Sequence, residues 1–325
     1  IEPGNLQGTE TEFGIAFDLM SFSKHRLNNL TEGVAKQLAE NNRLNLQLTL
    51  SGSIRNLLWD INIATAEYSQ AQSKISWLTD IRDFQKNLLK NGGGSKLALL
   101  RVELELTKAE QAKAVANMHR NAAFEQYTKL TKLSVLPESI QETVAVQPEI
   151  SADHPLLQKI SLARQLSKLA LRTQSSAQDD WNVTLFQREV DLIGQTDTQM
   201  GVSVELPLSF SDSYTPSASQ SWRTEDRDFQ QQYFTTKLNL DKQLTELKEQ
   251  AAYLQQMQSL LIKQLNMSRA LETDLNELKS AGSINLDEYY RRLIELKDIQ
   301  FQTETNELML QRNIALQNQI LGQPL

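Results

Sequence analysis

The three histidines are the side chains of this chain best suited to binding a transition metal or moving a proton. His25, His119 and His154 lie far apart, and none has a second histidine at the short spacing that metal sites use, such as His-x-x-x-His. The six methionines are dispersed as well, so no copper-binding stripe is predicted. We therefore expect no metal site and no cofactor, and we expect the histidines to be structural or exposed.

Two other kinds of reactive site are also missing from the sequence. The chain contains no cysteine, which excludes disulfides, thiolate metal ligands and thiol nucleophiles. The glycine run at residues 92–94 lies between two helical patterns and lacks the Gly-Lys-Ser/Thr ending of a phosphate-binding loop. No polar constellation remains on which catalysis could be built. The sequence therefore predicts that the protein is not an enzyme.

The composition favours long secondary-structure elements. Only 12 glycines and 7 prolines are spread over 325 residues, and aromatic residues make up 6%. The chain is rich in Leu, Gln, Asn, Glu, Lys and Ala, most of which favour helices. The net charge is −7, with basic residues interleaved with acidic ones, which argues against nucleic-acid binding. No run approaches the roughly 20 apolar residues of a membrane-spanning helix, so any membrane contact must come from strands.

Hydrophobic periodicity and glycine breaks predict two helical hairpins. Residues 24–91 carry apolar side chains at three- and four-residue steps, which predicts one helix roughly 100 Å long. The glycines end this helix, and Ser95 can cap a second one that runs to about residue 133. In the second half, residues 222–279 and a helix that continues to residue 320 flank a break at residues 281–283.

The two halves match at a nearly constant offset, which predicts an internal duplication. Leu19 matches Leu208 in strand-like segments, and Gly92 matches Gly282 at the helix breaks, each pair lying about 190 residues apart. We interpret residues 1–147 as the first repeat and residues 148–325 as the second. One long hairpin would fit an ordinary coiled coil, but a strand-plus-hairpin unit that recurs at one spacing indicates repetition.

Short strands precede each hairpin. Apolar and polar residues alternate over residues 11–20 and 200–210, the period-two pattern of a strand with one apolar face. Residues 181–190 alternate in the same way, and a polar turn at residues 194–198 follows, which predicts a β-hairpin. Strands of about 9–11 residues with this alternation occur in transmembrane barrels, although a small soluble sheet gives the same pattern. The apolar positions include Phe13, Ile15, Phe17, Leu19, Val202, Val204, Leu206 and Leu208.

Four segments of the sequence carry a resemblance to a known family. They are GGGSKLALLRVE from residue 92, GSINLDEYYRRL from residue 282, the strand segment GVSVELPL from residue 201, and HPLL from residue 154. In order and spacing they resemble the TolC-like outer-membrane factor family. The resemblance covers nearly the whole chain and is closest to the heavy-metal branch, the partners of cobalt–zinc–cadmium or copper efflux pumps.

The resemblance implies a mainly α fold with two long antiparallel α-helical hairpins and short amphipathic strands of an outer-membrane barrel. It also implies a homotrimer in the outer membrane, with its helical tunnel in the periplasm. Such a protein is the passive exit duct of a tripartite efflux system, here one that conducts heavy-metal cations. Its partners would be a periplasmic adaptor, an inner-membrane RND-type pump and outer-membrane lipid.

The resemblance also implies site residues. The apolar strand positions would face lipid, and the two hairpin turns would dock the adaptor, where glycines also supply the positive φ that a reversing helix needs. A pore entrance would follow the second turn, where Glu288 falls on the first of two acidic family positions and Arg291 occupies the second. A Glu288–Arg291 pair and a cation-attracting ring that includes Asp287 both remain open. The docking residues are Gly92, Gly93, Gly94, Ser95, Ala281, Gly282 and Ser283.

The chain departs from the family pattern at its start, where it begins almost at the second strand. A helix and a strand, the counterparts of about residues 156–178 and 181–190, would be absent from the first repeat. Three strands are therefore expected where the family has four. Two other classes remain as alternatives: a periplasmic adaptor normally has one helical hairpin flanked by β-domains, and a structural coiled-coil protein would lack amphipathic strands.

Overall fold

The computed structural model describes residues 9–19, 22–145, 149–175, 181–192, 195–205, 216–281, 283–284 and 286–325. These residues form five α-helices and three β-strands. In chain order they are β1 (Thr9–Leu19), α1 (Phe22–Lys90), α2 (Lys96–Thr131), α3 (Pro155–Ser175), β2 (Trp181–Leu192), β3 (Gln195–Glu205), α4 (Pro216–Ser280) and α5 (Leu286–Ile320). Within this described part, none of the helices combines the length and the apolar character that crossing a bilayer requires.

The helices follow the periodicity and the breaks of the sequence. α1 and α4 have 69 and 65 residues, and the helices that return from them, α2 and α5, have 36 and 35. The prediction of a mainly α fold with two helical hairpins is thus confirmed. α4 begins at Pro216, before the predicted start at Trp222, because the N–H that proline lacks is not needed in the first helical turn.

The chain divides into two compact units, and each draws on both halves of the sequence. We call the unit of Ile1–Leu44 and Pro155–Lys237 the sheet unit, because it contains the three strands and α3. The unit of Asn45–His154 and Leu238–Leu325 contains most of the two helical hairpins, and we call it the hairpin unit. Each predicted repeat therefore contributes strand to one unit and a hairpin to the other.

The strands of the sheet unit form an antiparallel sheet in the order β1-β2-β3. Ile15 lies opposite Leu185, and Leu185 lies opposite Val202. Because side chains alternate between the two faces of a strand, this register places most of the apolar residues of the three strands on one face.

The connection between β2 and β3 is shorter than the sequence predicts. β2 ends at Leu192 and β3 begins at Gln195, so the predicted polar turn is wrong for residues 195–198. Thr196 and Thr198 pair with β2 instead, because β-branched residues fit a pleated strand even where their neighbours are polar. The predicted strand residues Leu206 and Leu208 lie outside the described residues.

Polar contacts join α3 to two other helices within the sheet unit. Asn41 of α1 donates from Nδ2 to the Pro155 carbonyl over 2.9 Å. Arg164 of α3 lies with its Nε 2.6 Å from Asp226 Oδ1 near the start of α4. The hydrogen bond from this guanidinium lowers the pKa of the Asp226 carboxyl. These contacts, with the fully buried Leu157, hold α3 in place.

In the hairpin unit, α1 contacts both α2 and α5, and α5 contacts α4. Two apolar clusters pack α1 on α2. Near the turn the cluster comprises Leu78, Ile81, Val102, Leu106 and Ala109. Further from it, the second cluster comprises Leu58, Ile61, Ala123 and Tyr127.

The same helix, α1, contacts α5 of the second hairpin on another side. Lys74 Nζ lies 2.7 Å from Asp298 Oδ1. Closer to the turns, the rings of Phe84 and Tyr290 meet edge to face, with centroids 6.1 Å apart. Polar and aromatic contacts therefore connect the two hairpins inside one chain.

Asparagines of α5 join it to α4. Asn306 donates from Nδ2 to the Leu254 carbonyl at 3.0 Å and to Gln258 Oε1 at 2.7 Å. Seven positions further along the chain, Asn313 donates to Gln250 Oε1 at 3.2 Å. Asparagine at a coiled-coil core position favours one register, since any other leaves its amide without a partner. These bonds therefore fix the register of the second hairpin.

Candidate functional site

The first hairpin turn ends α1 with a Schellman motif. The Gly93 N–H donates to the Leu88 carbonyl at 3.0 Å, and the Gly92 N–H donates to the Leu89 carbonyl at 3.2 Å. Gly92 has a φ of 77°, in the left-handed region that glycine adopts without steric cost. The backbone of the turn itself therefore requires Gly92.

The turn places different steric and hydrogen-bonding constraints on Gly93, Gly94 and Ser95. A Cβ added to Gly94 would lie 2.6 Å from the Leu89 backbone nitrogen, whereas one added to Gly93 would meet nothing closer than 3.9 Å. Ser95 Oγ accepts a hydrogen bond from the Ala98 N–H at 3.4 Å, which confirms Ser95 as the N-cap of α2. Gly93 is therefore a glycine for which the turn itself supplies no steric reason.

The second hairpin turn ends α4 with a similar pattern of backbone bonds. The Ser283 N–H donates to the Leu278 carbonyl at 2.9 Å. Of the two bonds of a Schellman motif, this is the one that spans more residues. The Ala281 N–H continues the helical pattern by donating to the Glu277 carbonyl at 2.9 Å. Gly282 lies outside the described residues.

An aromatic cluster beside the second turn holds α4 and α5 together. Tyr289 is buried, and its hydroxyl donates to Asn276 Oδ1 at 2.8 Å. Lys279 Nζ lies 4.3 Å from the centroid of the Tyr289 ring and 5.6 Å from that of Tyr290. Helical periodicity does not single these residues out. Two consecutive tyrosines in a chain with few aromatic residues were the available signal.

Glu288, at the predicted pore entrance, forms ion pairs within its own helix. Its carboxylate accepts hydrogen bonds from Arg291 at 2.5 Å and from Arg292 at 2.9 Å. The hydrogen bond from Arg291, with that from Arg292, lowers the pKa of the Glu288 carboxyl. The Glu288–Arg291 pair that the sequence leaves open does form. The side chain of Asp287 lies outside the described part of the chain.

One face of the sheet exposes a row of apolar side chains. Phe13 is 72% exposed and Val202 is 63% exposed. Contiguous exposed apolar surface of this kind marks a contact surface, since water is an unfavourable neighbour for it. Every predicted lipid-facing residue within the described strands lies on this face. Its apolar members are Phe13, Ile15, Phe17, Leu19, Trp181, Val183, Leu185, Met200, Val202 and Val204.

The opposite face of the sheet is polar and mainly acidic. Arg188 of β2 forms ion pairs with Glu10 and Glu12 of β1. Asp18 and Glu205 lie in one row across the three strands, at the ends that lead towards α1 and α4. The carboxylates on this face outnumber the guanidinium, so the face carries negative charge.

A single large ring interrupts the polar face. Phe186 of β2 lies over Gly201 of β3, where an added Cβ would be 2.5 Å from Phe186 Cζ. On the other side of β2, Gly14 of β1 lies directly opposite Phe186. Glycine opposite an aromatic residue gives the ring space to cover the neighbouring backbone. This pairing explains why a glycine occurs inside a regular strand.

The histidines do not come together. His25 and His119 are exposed on α1 and α2, and His154 is buried immediately before α3. Burial lowers the pKa of His154, against the opposing effect of its hydrogen bond with the Ile320 backbone. Among the described residues, no group of three or more His, Asp or Glu side chains is placed to hold a metal ion.

Solved structures of outer-membrane proteins share this architecture. The chain is similar to the outer membrane protein VceC of Vibrio cholerae, with a TM-score of 0.68 at 11% identity over 98% of this chain and 85% of VceC. It is also similar to CusC, with a TM-score of 0.66 at 15% identity over 99% of this chain and 80% of CusC. For the open state of the Neisseria gonorrhoeae MtrE outer membrane channel, the TM-score is 0.65 at 14% identity over 99% of this chain and 80% of MtrE.

Sequence comparison identifies no family for the chain. No protein-family model matches the chain, and no curated protein matches it by sequence. The three structural matches cover nearly all of this chain, and they include both the strands and the helical hairpins. The chain therefore has the TolC-like fold of outer-membrane channel proteins, as its sequence predicts.

Proposed function

We propose that the chain is the outer-membrane channel subunit of a tripartite efflux system, with its helical hairpins in the periplasm. In this role it passively conducts substrate from an inner-membrane RND-type pump and a periplasmic adaptor to the exterior. The observation that carries the proposal is the exposed apolar face of the sheet, in a chain with the fold of outer-membrane channels.

The apolar face is the surface that meets lipid. β1 and β3 each have 11 residues, which matches the roughly 9–11 residues that a tilted strand needs to cross the hydrocarbon core. Side chains such as Phe13 and Ile15 lose contact with water when this face enters a bilayer, and that transfer favours insertion. Leu206 and Leu208 extend the same alternation in the sequence.

Copies of the chain close the sheet around an aqueous lumen. The outer edges of β1 and β3 carry no partner strand among the described residues. Lipid does not tolerate unpaired backbone N–H and C=O groups, so both edges need partner strands in a bilayer, and in this proposal neighbouring copies contribute to that pairing. The polar face then lines the lumen, and its carboxylates support heavy-metal cations as cargo.

Exposed apolar residues of α2 and α4 are the proposed surfaces for a homotrimer. α2 and α4 each expose apolar residues whose spacings are sums of three- and four-residue steps, the pattern of a coiled-coil seam. The seam of α2 in one copy packs on that of α4 in the next, a head-to-tail contact that closes into a ring. The seam residues are Leu100, Leu104, Val115 and Met118 on α2, and Tyr253, Leu260, Met267, Leu271 and Leu278 on α4.

The hairpin turns are the proposed adaptor-docking sites. Open space beside Gly93 supports this role, because the fold gives no other reason for a glycine there. The docking set comprises Gly92, Gly93, Gly94, Ser95, Ala281, Gly282 and Ser283. The proposed pore entrance comprises Asp287, Glu288 and Arg291.

Conductance across planar lipid bilayers tests the channel role. We expect the purified chain to insert with stepwise currents and to have a trimer mass in detergent. Ile15→Arg should abolish insertion, because a charge on the lipid face of a barrel strand costs about 2–4 kcal/mol at the membrane midplane.

The matched control is Ala16→Arg, which places the same charge on the polar face one residue along β1. This variant should retain conductance. The proposed channel would be contradicted if both variants lost conductance equally. It would also be contradicted if the wild-type chain gave no current and remained monomeric.

A further inference from the structure

The first hairpin turn carries an excess of positive charge. Between residues 84 and 102 the sequence contains no Asp or Glu, although the chain as a whole has a net charge of −7. The cations of this segment are Lys86, Lys90, Lys96 and Arg101.

The cations at the second turn, in contrast, already form ion pairs or cation–π contacts within the same hairpin. Arg291 and Arg292 both bind Glu288, at 2.5 Å and 2.9 Å. Lys279 lies over the Tyr289 ring. These contacts leave little positive charge at the second turn for recognition of a partner.

Lys90 and Lys96 directly flank the first turn, and both are exposed. Neither forms an ion pair within the described residues, whereas Lys86 lies 3.7 Å from Glu103. Lys96 is the first residue of α2, whose first turn has no acid, although the positive end of a helix dipole favours acids there. The position of Lys96 is therefore unfavourable for the isolated hairpin.

Each of these two lysines stands beside an exposed leucine. Leu89 is 37% exposed and Leu97 is 59% exposed, so the order is Leu-Lys before the turn and Lys-Leu after it. Between them, Gly93 has no side chain to keep a partner's backbone at a distance. The turn therefore combines two cations, two apolar side chains and accessible backbone.

We propose that the first hairpin turn binds a helical-hairpin partner whose own turn carries carboxylates beside an apolar residue. Lys90 and Lys96 pair with the carboxylates, and Leu89 and Leu97 cover the apolar residue. Complementary charges at such a contact govern partner choice and association rate more than total affinity. The inference rests on the proposed docking of an adaptor, and it assigns charge recognition to the first turn alone.

Two disulfide-closed helical-hairpin peptides serve as probes. They differ only at the turn, where one has Glu-Leu-Glu and the other has Lys-Leu-Lys. Binding of each to the full chain in detergent is measured at about 50 mM and about 500 mM NaCl, since salt at the higher concentration screens exposed charges. We expect the acidic peptide to bind about tenfold tighter at low salt, and the difference to shrink at high salt.

Charge reversal at both lysines, Lys90→Glu with Lys96→Glu, should invert this preference. The matched control reverses Arg223 and Arg227, two exposed cations of α4 in the sheet unit, and changes the net charge by the same amount. That control should keep the wild-type preference. Circular dichroism establishes that both double variants retain their helices.

Three results would overturn the inference. The first is a peptide preference that the lysine reversal does not change. If Gly93→Trp abolishes peptide binding in that case, the turn is a docking site that does not recognise charge. The second is lysine-dependent binding of phosphatidylglycerol vesicles with no preference between the peptides. The third is failure of both peptides to bind, in which case bilayer conductance separately decides the channel role.

Discussion

Arg55 and Glu142 form a two-pronged ion pair inside the hairpin unit. Arg55 Nε lies 2.6 Å from Glu142 Oε1 and Nη2 lies 2.8 Å from Oε2, and Arg55 is only 2% exposed. Its remaining nitrogen, Nη1, donates to Gln319 Oε1 at 2.5 Å and to the Gln323 carbonyl at 2.8 Å. One side chain thus joins α1 to the segment that follows α2 and to the end of α5.

Arg55→Ala should destabilise the hairpin unit by about 3–5 kcal/mol, because it leaves the largely buried Glu142 carboxylate without its cation. Among the described residues, Glu142 would then keep only the neutral bond from Asn318 at 3.0 Å. The control is Arg43→Ala, which breaks an exposed pair with Glu40 and should leave stability nearly unchanged. Thermal unfolding in detergent compares the two variants, and equal losses would show that burial of the Arg55 pair does not matter.

Gly94→Ala should destabilise the first hairpin turn by about 1–3 kcal/mol, the usual effect of overpacking. The new Cβ would lie 2.6 Å from the Leu89 nitrogen, a backbone atom that moves only if the end of α1 unwinds. Gly93→Ala is the neighbouring control, since it meets nothing closer than 3.9 Å. Amide hydrogen exchange at the end of α1 should accelerate in the first variant alone. Similar exchange in both would refute the steric explanation.

Acidification should destabilise the fold through His154. Burial lowers the pKa of this histidine below its ordinary value of 6.5, so the folded state disfavours the protonated ring. The stability that depends on neutral His154 is therefore fully present above the unfolded-state pKa and is lost as pH falls through the folded-state pKa. Between about pH 7 and pH 5, the melting temperature of the wild type should fall more steeply than that of His154→Gln. Parallel slopes would assign the acid sensitivity to other groups.

Gly201→Ala should destabilise the sheet, because the new methyl group would collide with the Phe186 ring. Phe186→Ala removes the ring, so the double variant should be more stable than the sum of the single effects predicts. Residues in direct contact show coupling of about 0.5–3 kcal/mol in such a cycle. Unfolding of the single and double variants in detergent measures it. Additive effects would mean that the ring and the glycine do not interact.

Glu288→Gln should raise anion permeability, if the residues after the second turn line the pore as proposed. The change removes the carboxylate that Arg291 and Arg292 share, and it leaves two guanidinium groups uncompensated. Reversal potentials in a KCl gradient across a planar bilayer measure the shift. Glu249→Gln, an exposed carboxylate of α4, provides the control and should leave the potential unchanged. A shift of the same size in both variants would argue against a pore-lining role for Glu288.

The sequence by itself determined the elements whose bonds span only a few residues. Ser95 caps α2 and Gly92 adopts a positive φ because these roles depend on neighbours within one helical turn. The alternation of Phe13 to Leu19 likewise predicts one apolar strand face, since side chains alternate along any strand. The helical hairpins, the glycine turn of the first hairpin and the amphipathic strands were therefore predictable.

Only the tertiary structure decided which distant surfaces meet. Arg55 bonds Gln319 across 264 positions of sequence, and nothing in the local pattern of either helix specifies that partner. The sequence left two roles open for Glu288, an ion pair with Arg291 or a charged ring at the pore. Its ion pairs with Arg291 and Arg292 are visible only in the structure. The physical reason is that periodicity defines which face of a helix is buried, whereas its neighbour and register depend on packing and hydrogen bonds between segments far apart in the chain.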